Sequence, residues 1–202
     1  MCSKFSRQMK KPLVSILIAS HNKEKYVKRC IKSCTNQTYK NVEIIFVDDN
    51  SIDQSYEIAK KFRKVKVFKK KRKKNKNKFN TYFQIDTYIY AFKRSKGKII
   101  ALLDSDDFFK KNKIKEIVNY FNKKKRSNII FDLPIYYFSK NKKVFAREPQ
   151  IKNSNNKDIW PRFPIAGSCI SFKKNFFIKF SKIIKNKNFS MLTIDFRLAS
   201  YA

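Results

Sequence analysis

Three short apolar runs that each end in polar or acidic residues constrain the fold of this chain more than any other feature. The runs cover residues 14–19, 42–47 and 99–103, and segments with apolar residues at helical spacing follow the first two. A short apolar run bounded by turn residues indicates a buried strand, although a buried helical segment has the same pattern. Strands that alternate with helices predict a parallel sheet with right-handed crossovers. The polar ends of the strands then meet at one edge, where open α/β sheets bind ligands.

The third run leads directly into a dense acidic group. Asp104, Asp106 and Asp107 occupy three of four consecutive positions. Carboxylates this close repel one another unless a cation or hydrogen-bond donors compensate them. Mg²⁺ binds through one or two carboxylates together with substrate phosphates, so the group is a candidate metal site. An acidic turn that caps the helix predicted to begin near Lys113 is an alternative that the sequence leaves open.

The charge of the chain is extreme. Its 202 residues include 49 basic and 15 acidic side chains, which gives a formal charge of +34. Such a charge favours anionic partners such as nucleic acid, anionic lipid or a phosphorylated substrate. Abundant Lys and Asn with only two Gly also indicate a compositional bias, to which we attribute most of the charge. We interpret the basic run 63–78 as a solvated loop, with a phosphate- or membrane-binding patch as the alternative.

Several classes of protein are disfavoured by what the sequence lacks. It has no run of eighteen apolar residues, so we predict no membrane helix. Residues 1–11 have no apolar core, so we predict no signal peptide and expect a cytoplasmic protein. The glycine motifs of Rossmann dinucleotide sites and P-loops are absent. His21 is the only histidine, so acid–base work falls to carboxylates. Cys30 and Cys34 lie one helical turn apart and are predicted to be buried free thiols.

Helices and further strands follow from the same periodicity. We predict helices over residues 23–34, with Ser20 or Asn22 as N-cap, after the second strand, over 79–92 and from about 113. From residue 128 the pattern changes to short aromatic strands at 129–131, 135–138 and 144–145. Another strand is predicted at 168–172, followed by a helix.

Four segments together resemble one known family. Residues 14–22, 33–39 and 42–53 resemble family 2 glycosyltransferases of the GT-A fold, and residues 97–107 resemble the strand that leads into that family's D-x-D motif. The resemblance implies an α/β fold of the GT-A type, with a Rossmann-like, mostly parallel sheet, flanking helices and a smaller mixed acceptor-side half.

The same resemblance implies how the chain is divided. We expect a basic N-terminal tail over 1–11, a nucleotide-sugar-binding half over 12–115 and an acceptor-side half over 116–202, all within one GT-A domain. Members of the family commonly continue with further helices, so we expect the acceptor-side half to be truncated.

The implied reaction is transfer of a sugar from a nucleotide-diphosphate sugar to the hydroxyl of a glycan or lipid-linked acceptor. Mg²⁺ or Mn²⁺ would bind the diphosphate, and the setting would be envelope polysaccharide or lipopolysaccharide synthesis. Carried over by position from the family, the residues expected to line the donor pocket are Ser20, His21, Asn22 and Glu24. Asp49 is expected to contact the nucleotide base, with Asp48 beside it. Asp104 is expected to lie near the ribose or the metal, and Asp106 is expected to be the principal metal ligand.

Asp195 is the expected general base, since it is the only acid between Asp158 and the C-terminus and lies about where the family places that base. A helix N-cap is the alternative role for this residue. The sequence departs from the family at His21, where a tyrosine is usual, so a ring is retained at this position.

Two other functions remain open at this stage. A basic nucleic-acid-binding protein fits the charge and the aromatic residues, but no RNA-recognition or helix-turn-helix signature is present, so we expect no specific nucleic-acid partner. The second alternative is an inactive transferase-like module that binds an anionic membrane surface. Peripheral contact with the inner face of an anionic membrane is also expected for an active enzyme.

Overall fold

The computed structural model of this protein describes residues 11–72, 80–138, 143–146, 166–180 and 194. The strands are β1 (Val14–Ser20), β2 (Val42–Asp48), β3 (Val65–Lys69), β4 (Ile99–Asp104), β5 (Ile129–Phe131), β6 (Ile135–Phe138), β7 (Lys143–Ala146) and β8 (Ile170–Lys173). The helices are α1 (Glu24–Thr35), α2 (Ser55–Lys60), α3 (Asn80–Phe92), α4 (Lys113–Lys123) and α5 (Lys174–Phe180). Each strand and helix that the sequence predicts within these residues is present.

The predicted parallel sheet is confirmed. Six strands form one sheet in the order β3-β2-β1-β4-β8-β5, and β6 pairs with β7 as a separate hairpin. Strands β1 to β4 pair in parallel, whereas β8 runs antiparallel to β4 and β5. The register places Ser20 opposite Asp48 and Ala19 opposite Asp104. The carboxyl ends of β1, β2 and β4 therefore lie side by side.

Both faces of the sheet are covered by helices, which is why its central strands are mostly apolar. Helices α1, α2 and α4 pack on one face, where Ile16 and Ile18 point. Helices α3 and α5 pack on the other face, against Leu17 and Leu102. No helix in the part of the chain that the structure describes is long and apolar enough to cross a bilayer.

The predicted N-cap of the first helix is wrong. Helix α1 begins at Glu24 and has no cap from the side chain that precedes it. Its first amides are instead bound by the loop after β2, where Asp53 Oδ2 accepts from the Glu24 amide at 3.0 Å and Ser55 Oγ from the Lys23 amide at 2.8 Å. Asn22 is occupied elsewhere, since its Oδ1 accepts from the Ile52 amide at 2.9 Å.

Strand β5 joins the main sheet through β8, which pairs with both β4 and β5. Residues Gly167–Cys169 form a 3-10 turn before β8, so the predicted strand 168–172 begins two residues later than expected. Cys30, Cys34 and Cys169 are buried free thiols, as predicted for the first two. The proposed division of the chain at residues 115 and 116 stays a prediction.

Candidate functional site

A cleft of about 510 Å³ opens at the carboxyl ends of β1, β2 and β4. Helix α3 and the segment after β3 complete its walls. Six of the predicted site residues line it: Ser20, His21, Asn22, Asp49, Asp104 and Asp106. The expectation that these strand ends converge on one cleft is therefore supported by the geometry.

Two other predicted site residues brace the loops behind this cleft. The Glu24 carboxylate accepts from the Gln54 amide at 3.1 Å, which ties the start of α1 to the loop after β2. Asp48 is fully buried and accepts from the Ser51 amide at 2.9 Å. Neither side chain is among those that line the cleft. The Glu24 contact joins the two loops and the Asp48 contact fixes the turn after β2, so both support the residues that line the cleft.

One end of the cleft contains a buried carboxylate between two cations. Asp49 is 3% exposed, Lys70 Nζ lies 2.9 Å from its Oδ1, and Arg72 Nε lies 3.6 Å from its Oδ2. Lys70 also pairs with Asp86 on α3 at 3.0 Å. A cation therefore lies beside each oxygen of the Asp49 carboxylate.

The interpretation of residues 63–78 as a solvated loop is wrong at this point. Lys70 is only 7% exposed. The guanidinium of Arg72 lies over the Phe83 ring, 3.8 Å from its centroid, and lines the cleft. The sequence did not reveal these two cations because their neighbours are also basic, so composition does not distinguish them.

Asp104 lines the cleft at the end of β4 and is held by helix α3. Its Oδ1 accepts from Gln84 Nε2 and from the Tyr88 hydroxyl, each at 2.7 Å. Burial raises the pKa of Asp104 to about 6, although the two donors oppose the shift. The sequence did not reveal Gln84 and Tyr88 as site residues because helical periodicity predicts α3 but does not show which of its side chains reach the end of β4.

Asp106 faces the cleft with an ammonium beside it. Lys23 Nζ donates to its Oδ2 at 2.6 Å, and the two side chains are 40% and 39% exposed. This hydrogen bond raises the pKa of Lys23. Because both groups are half-exposed, the pair is accessible to an incoming ligand.

Asp107 is not among the residues that line the cleft and contacts the 3-10 turn before β8 instead. Ser168 Oγ donates to its Oδ2 at 2.6 Å and accepts from the Asp104 amide at 2.9 Å. Burial raises the pKa of Asp107. The acidic group does not cap α4, whose Ile114 amide donates to Gln37 Oε1 at 3.0 Å.

The residues fit a divalent cation that is shared with a ligand. Within the described residues, no three His, Cys, Asp or Glu side chains converge to hold a metal ion by themselves. Asp104 and Asp106 nevertheless present carboxylate oxygens to the same cleft. This donor set suits Mg²⁺ or Mn²⁺ only if phosphate oxygens complete the coordination.

Asp195 lies outside the described residues, so its predicted role stays a prediction. Its neighbour Ile194 is helical and fully buried. A Cβ on Gly167 would lie 3.8 Å from Ile194 Cγ2 and 3.1 Å from Asp104 Oδ2. The chain therefore passes close to the cleft immediately before Asp195.

Comparison with known proteins identifies the family. The model of the family described as Glycosyl transferase family 2 matches residues 15–183. The chain belongs to this family. WfaP of Escherichia coli, a UDP-Glc:alpha-D-GlcNAc-diphosphoundecaprenol beta-1,3-glucosyltransferase, is 33% identical over 144 residues, covering 69% of this chain and 53% of its own length. Glycosyltransferase GlyG of Streptococcus pneumoniae is 30% identical over 118 residues, with 58% and 38% covered. The family 2 chain thus spans about half or less of these relatives.

Solved structures confirm the GT-A fold of this family 2 chain. Residues 1–349 of Staphylococcus aureus TarS in complex with UDP match 93% of the chain and 54% of that protein, with a TM-score of 0.66 and 18% identity. The mannosyltransferase PcManGT from Pyrobaculum calidifontis, in complex with GDP-Man and Mn²⁺, matches 85% and 47%, with a TM-score of 0.57 and 13% identity. Family membership favours the transferase prediction over the nucleic-acid-binding alternative.

Proposed function

We propose that this protein transfers a sugar from a nucleotide-diphosphate sugar to an acceptor hydroxyl in envelope polysaccharide or lipopolysaccharide synthesis. The observation that carries the proposal is the cleft, which has Asp49 between two cations at one end and Asp104 with Asp106 at the other. The end at Asp49 suits the nucleotide base of the donor, and the end at Asp104 and Asp106 suits its diphosphate with a bound cation. Names of similar proteins support this reading, since WfaP uses UDP-Glc and TarS binds UDP.

The end of the cleft at Asp49 favours a donor whose nucleotide base is uracil over one whose base is guanine. Lys70 lies 2.9 Å from Asp49 Oδ1, whereas Arg72 Nε approaches Oδ2 only to 3.6 Å, so Oδ2 is the oxygen that would accept from a nucleotide base next to this guanidinium. Uracil presents one N–H donor beside a carbonyl acceptor, which matches one carboxylate oxygen and one guanidinium donor. Guanine adds an amino donor that needs a second acceptor. We therefore propose a uridine-diphosphate donor.

The other end holds the leaving group. Asp106 and Asp104 would bind Mg²⁺ or Mn²⁺, which when bound neutralises the negative charge that develops on the departing diphosphate. Lys23 is close to Asp106 and can donate to phosphate oxygens once a divalent ion takes its place at the carboxylate. Gln84 and Tyr88 keep Asp104 oriented throughout, since both donate to the same oxygen.

We propose Asp195 as the general base that accepts the proton of the acceptor hydroxyl. The burial of Ile194 next to Gly167, which in turn lies against Asp104, supports this role. The acceptor would be a glycan or a lipid-linked glycan. The charge of +34 supports peripheral contact with the inner face of an anionic membrane.

Isothermal titration with UDP and with GDP, each with and without Mn²⁺, tests the proposal. We expect UDP to bind with Mn²⁺ and Asp106→Ala to weaken this binding at least about tenfold, because a charged ligand group is lost. Glu57→Ala is the matched control, since it removes one carboxylate of a surface ion pair on α2. Absence of binding of either nucleotide to the wild-type protein would refute the proposal.

A further inference from the structure

The contacts of His21 determine which of its ring nitrogens carries the proton. Nδ1 lies 2.8 Å from the carbonyl oxygen of Asp49, which can only accept, so Nδ1 carries hydrogen. Nε2 lies 3.1 Å from Arg72 Nη1, and a guanidinium can only donate. The amide nitrogen of Asn22 also faces Nε2 at 3.4 Å, and its orientation follows from the bond of Asn22 Oδ1 to the Ile52 amide. All three contacts require a neutral imidazole with a lone pair on Nε2.

Arg72 is the residue that this lone pair holds. Its guanidinium lies over Phe83, with the guanidinium carbon 3.8 Å from the ring centroid, and its Nε lies 3.6 Å from Asp49 Oδ2. The aromatic ring, the carboxylate and the imidazole therefore contact the guanidinium together and restrict where it can lie. His21 thus sets where Arg72 presents its donors to the base end of the cleft.

We propose that His21 is a positioning residue that, as a neutral imidazole, holds Arg72 for the nucleotide base, and that its protonation releases Arg72 and weakens donor binding. The proposal rests on the proposed function of the cleft. A protonated Nε2 cannot accept from Arg72 and places a second positive charge 3.1 Å from its Nη1. The donor site is therefore expected to work best above the pH range in which imidazole gains its proton.

The charged groups around His21 do not remove this conflict. Asp49 from the end of β2 faces the ring, but Lys70 and Arg72 already pair with its carboxylate. Asp53 from the loop before α2 accepts from the Ser55 and Glu24 amides, so its carboxylate is already bound. Protonation of Nε2 ends the hydrogen bond from Arg72 whatever these acids do, since that bond requires the lone pair on Nε2.

The affinity for UDP-glucose at pH 8 and pH 5.5, measured by isothermal titration with Mg²⁺, tests the proposal. UDP-glucose is the probe because its diphosphate is esterified at both ends and lacks the terminal phosphate ionisation, which falls near pH 6. The measured quantity is the ratio of the two affinities within each protein. We expect this ratio to be about tenfold larger in the wild type than in His21→Gln, because glutamine keeps an acceptor oxygen but does not titrate.

Further variants separate this role from a packing role. His21→Phe keeps a ring without an acceptor, so at pH 8 it should bind UDP-glucose more weakly than His21→Gln. Arg72→Ala should lower the ratio to that of His21→Gln, since protonation of His21 then has no partner to release. Titration of Asp104 contributes equally to all four proteins and cancels in the comparison. Equal ratios in the wild type and His21→Gln would overturn the proposal.

Nitrogen NMR of the imidazole gives a readout that is independent of donor binding. His21 is the only histidine in the chain, so its two nitrogen signals need no assignment. We expect the Nδ1–H tautomer at pH 8; an Nε2–H tautomer would overturn the proposal even if UDP-glucose binds. Loss of UDP-glucose binding in all proteins at both pH values, with the Nδ1–H tautomer present, would instead refute the proposed function of the cleft and with it the role of His21 in it.

Discussion

Asparagine at position 104 should stabilise the fold while it destroys the donor site. Burial raises the pKa of Asp104 from an ordinary value of 3.8 to about 6. This shift corresponds to about 3 kcal/mol of folding free energy lost when the carboxylate ionises at pH 7. Asparagine has the same shape, and its oxygen can still accept from Gln84 and Tyr88. Active sites commonly retain such unfavourable charges because function requires them.

The sign of the pH dependence follows from proton binding. The folded chain binds the Asp104 proton more tightly than the unfolded chain, so stability falls as the pH rises from about 4 to 6. We expect Asp104→Asn to exceed the wild type by about 2–3 kcal/mol at pH 7 and by only about 1 kcal/mol at pH 4.5. Urea unfolding in EDTA, followed by circular dichroism, measures both values.

Asp53→Asn is the matched control, because its expected effect on the free energy of unfolding has the opposite sign to that of Asp104→Asn. Hydrogen bonds from Ser55 and from the Glu24 amide, acting against desolvation, lower the pKa of Asp53. Its ionised form therefore stabilises the fold above the unfolded pKa, and Asp53→Asn should be less stable than the wild type at pH 7. An Asp104→Asn variant that is less stable than the wild type, or whose advantage is the same at both pH values, would refute the reasoning.

Two further predictions concern the sheet and the acidic loop. A Cβ at Gly97 would lie 2.4 Å from Ser15 Oγ and 2.6 Å from the Ser15 nitrogen, so Gly97→Ala should lower the free energy of unfolding by about 3 kcal/mol. Urea unfolding, with Lys98→Ala as the control, measures this loss. An unchanged unfolding midpoint in Gly97→Ala would contradict the prediction. Ser168→Ala removes the hydroxyl that bridges Asp107 and the Asp104 amide, so we expect the Mn²⁺-dependent affinity for UDP to fall about tenfold. Titration calorimetry should show that Ser168→Thr, which keeps the hydroxyl, recovers this affinity. An equal loss of affinity in both variants would argue against the bridging role.

The sheet and most helices could be predicted from the sequence because each signal is local. The apolar runs before Ser20, Asp48 and Asp104 are buried on both faces, and such runs mark parallel strands without knowledge of their partners. The strand order then places the polar ends together. Six of the predicted cleft residues follow from this alone.

The remaining parts of the site depend on contacts between residues distant in sequence. Lys70 and Arg72 look like their basic neighbours until the fold brings them against Asp49. Tyr88 looks like a core aromatic until its hydroxyl is found at Asp104. The family resemblance assigns Glu24 to the donor pocket by its position, but its carboxylate accepts from a backbone amide of the next loop. Pairings of this kind leave no pattern in a single sequence.

The central claim is that the cleft binds a uridine diphosphate donor through Asp49 and a divalent ion at Asp106. A crystal structure with UDP and Mn²⁺, with the ion located by its anomalous signal, tests this most directly. The account predicts Mn²⁺ about 2.1 Å from an Asp106 carboxylate oxygen and bridged to the diphosphate, with uracil against Asp49 and Arg72. UDP bound outside the cleft, or Mn²⁺ bound without Asp106, would contradict it.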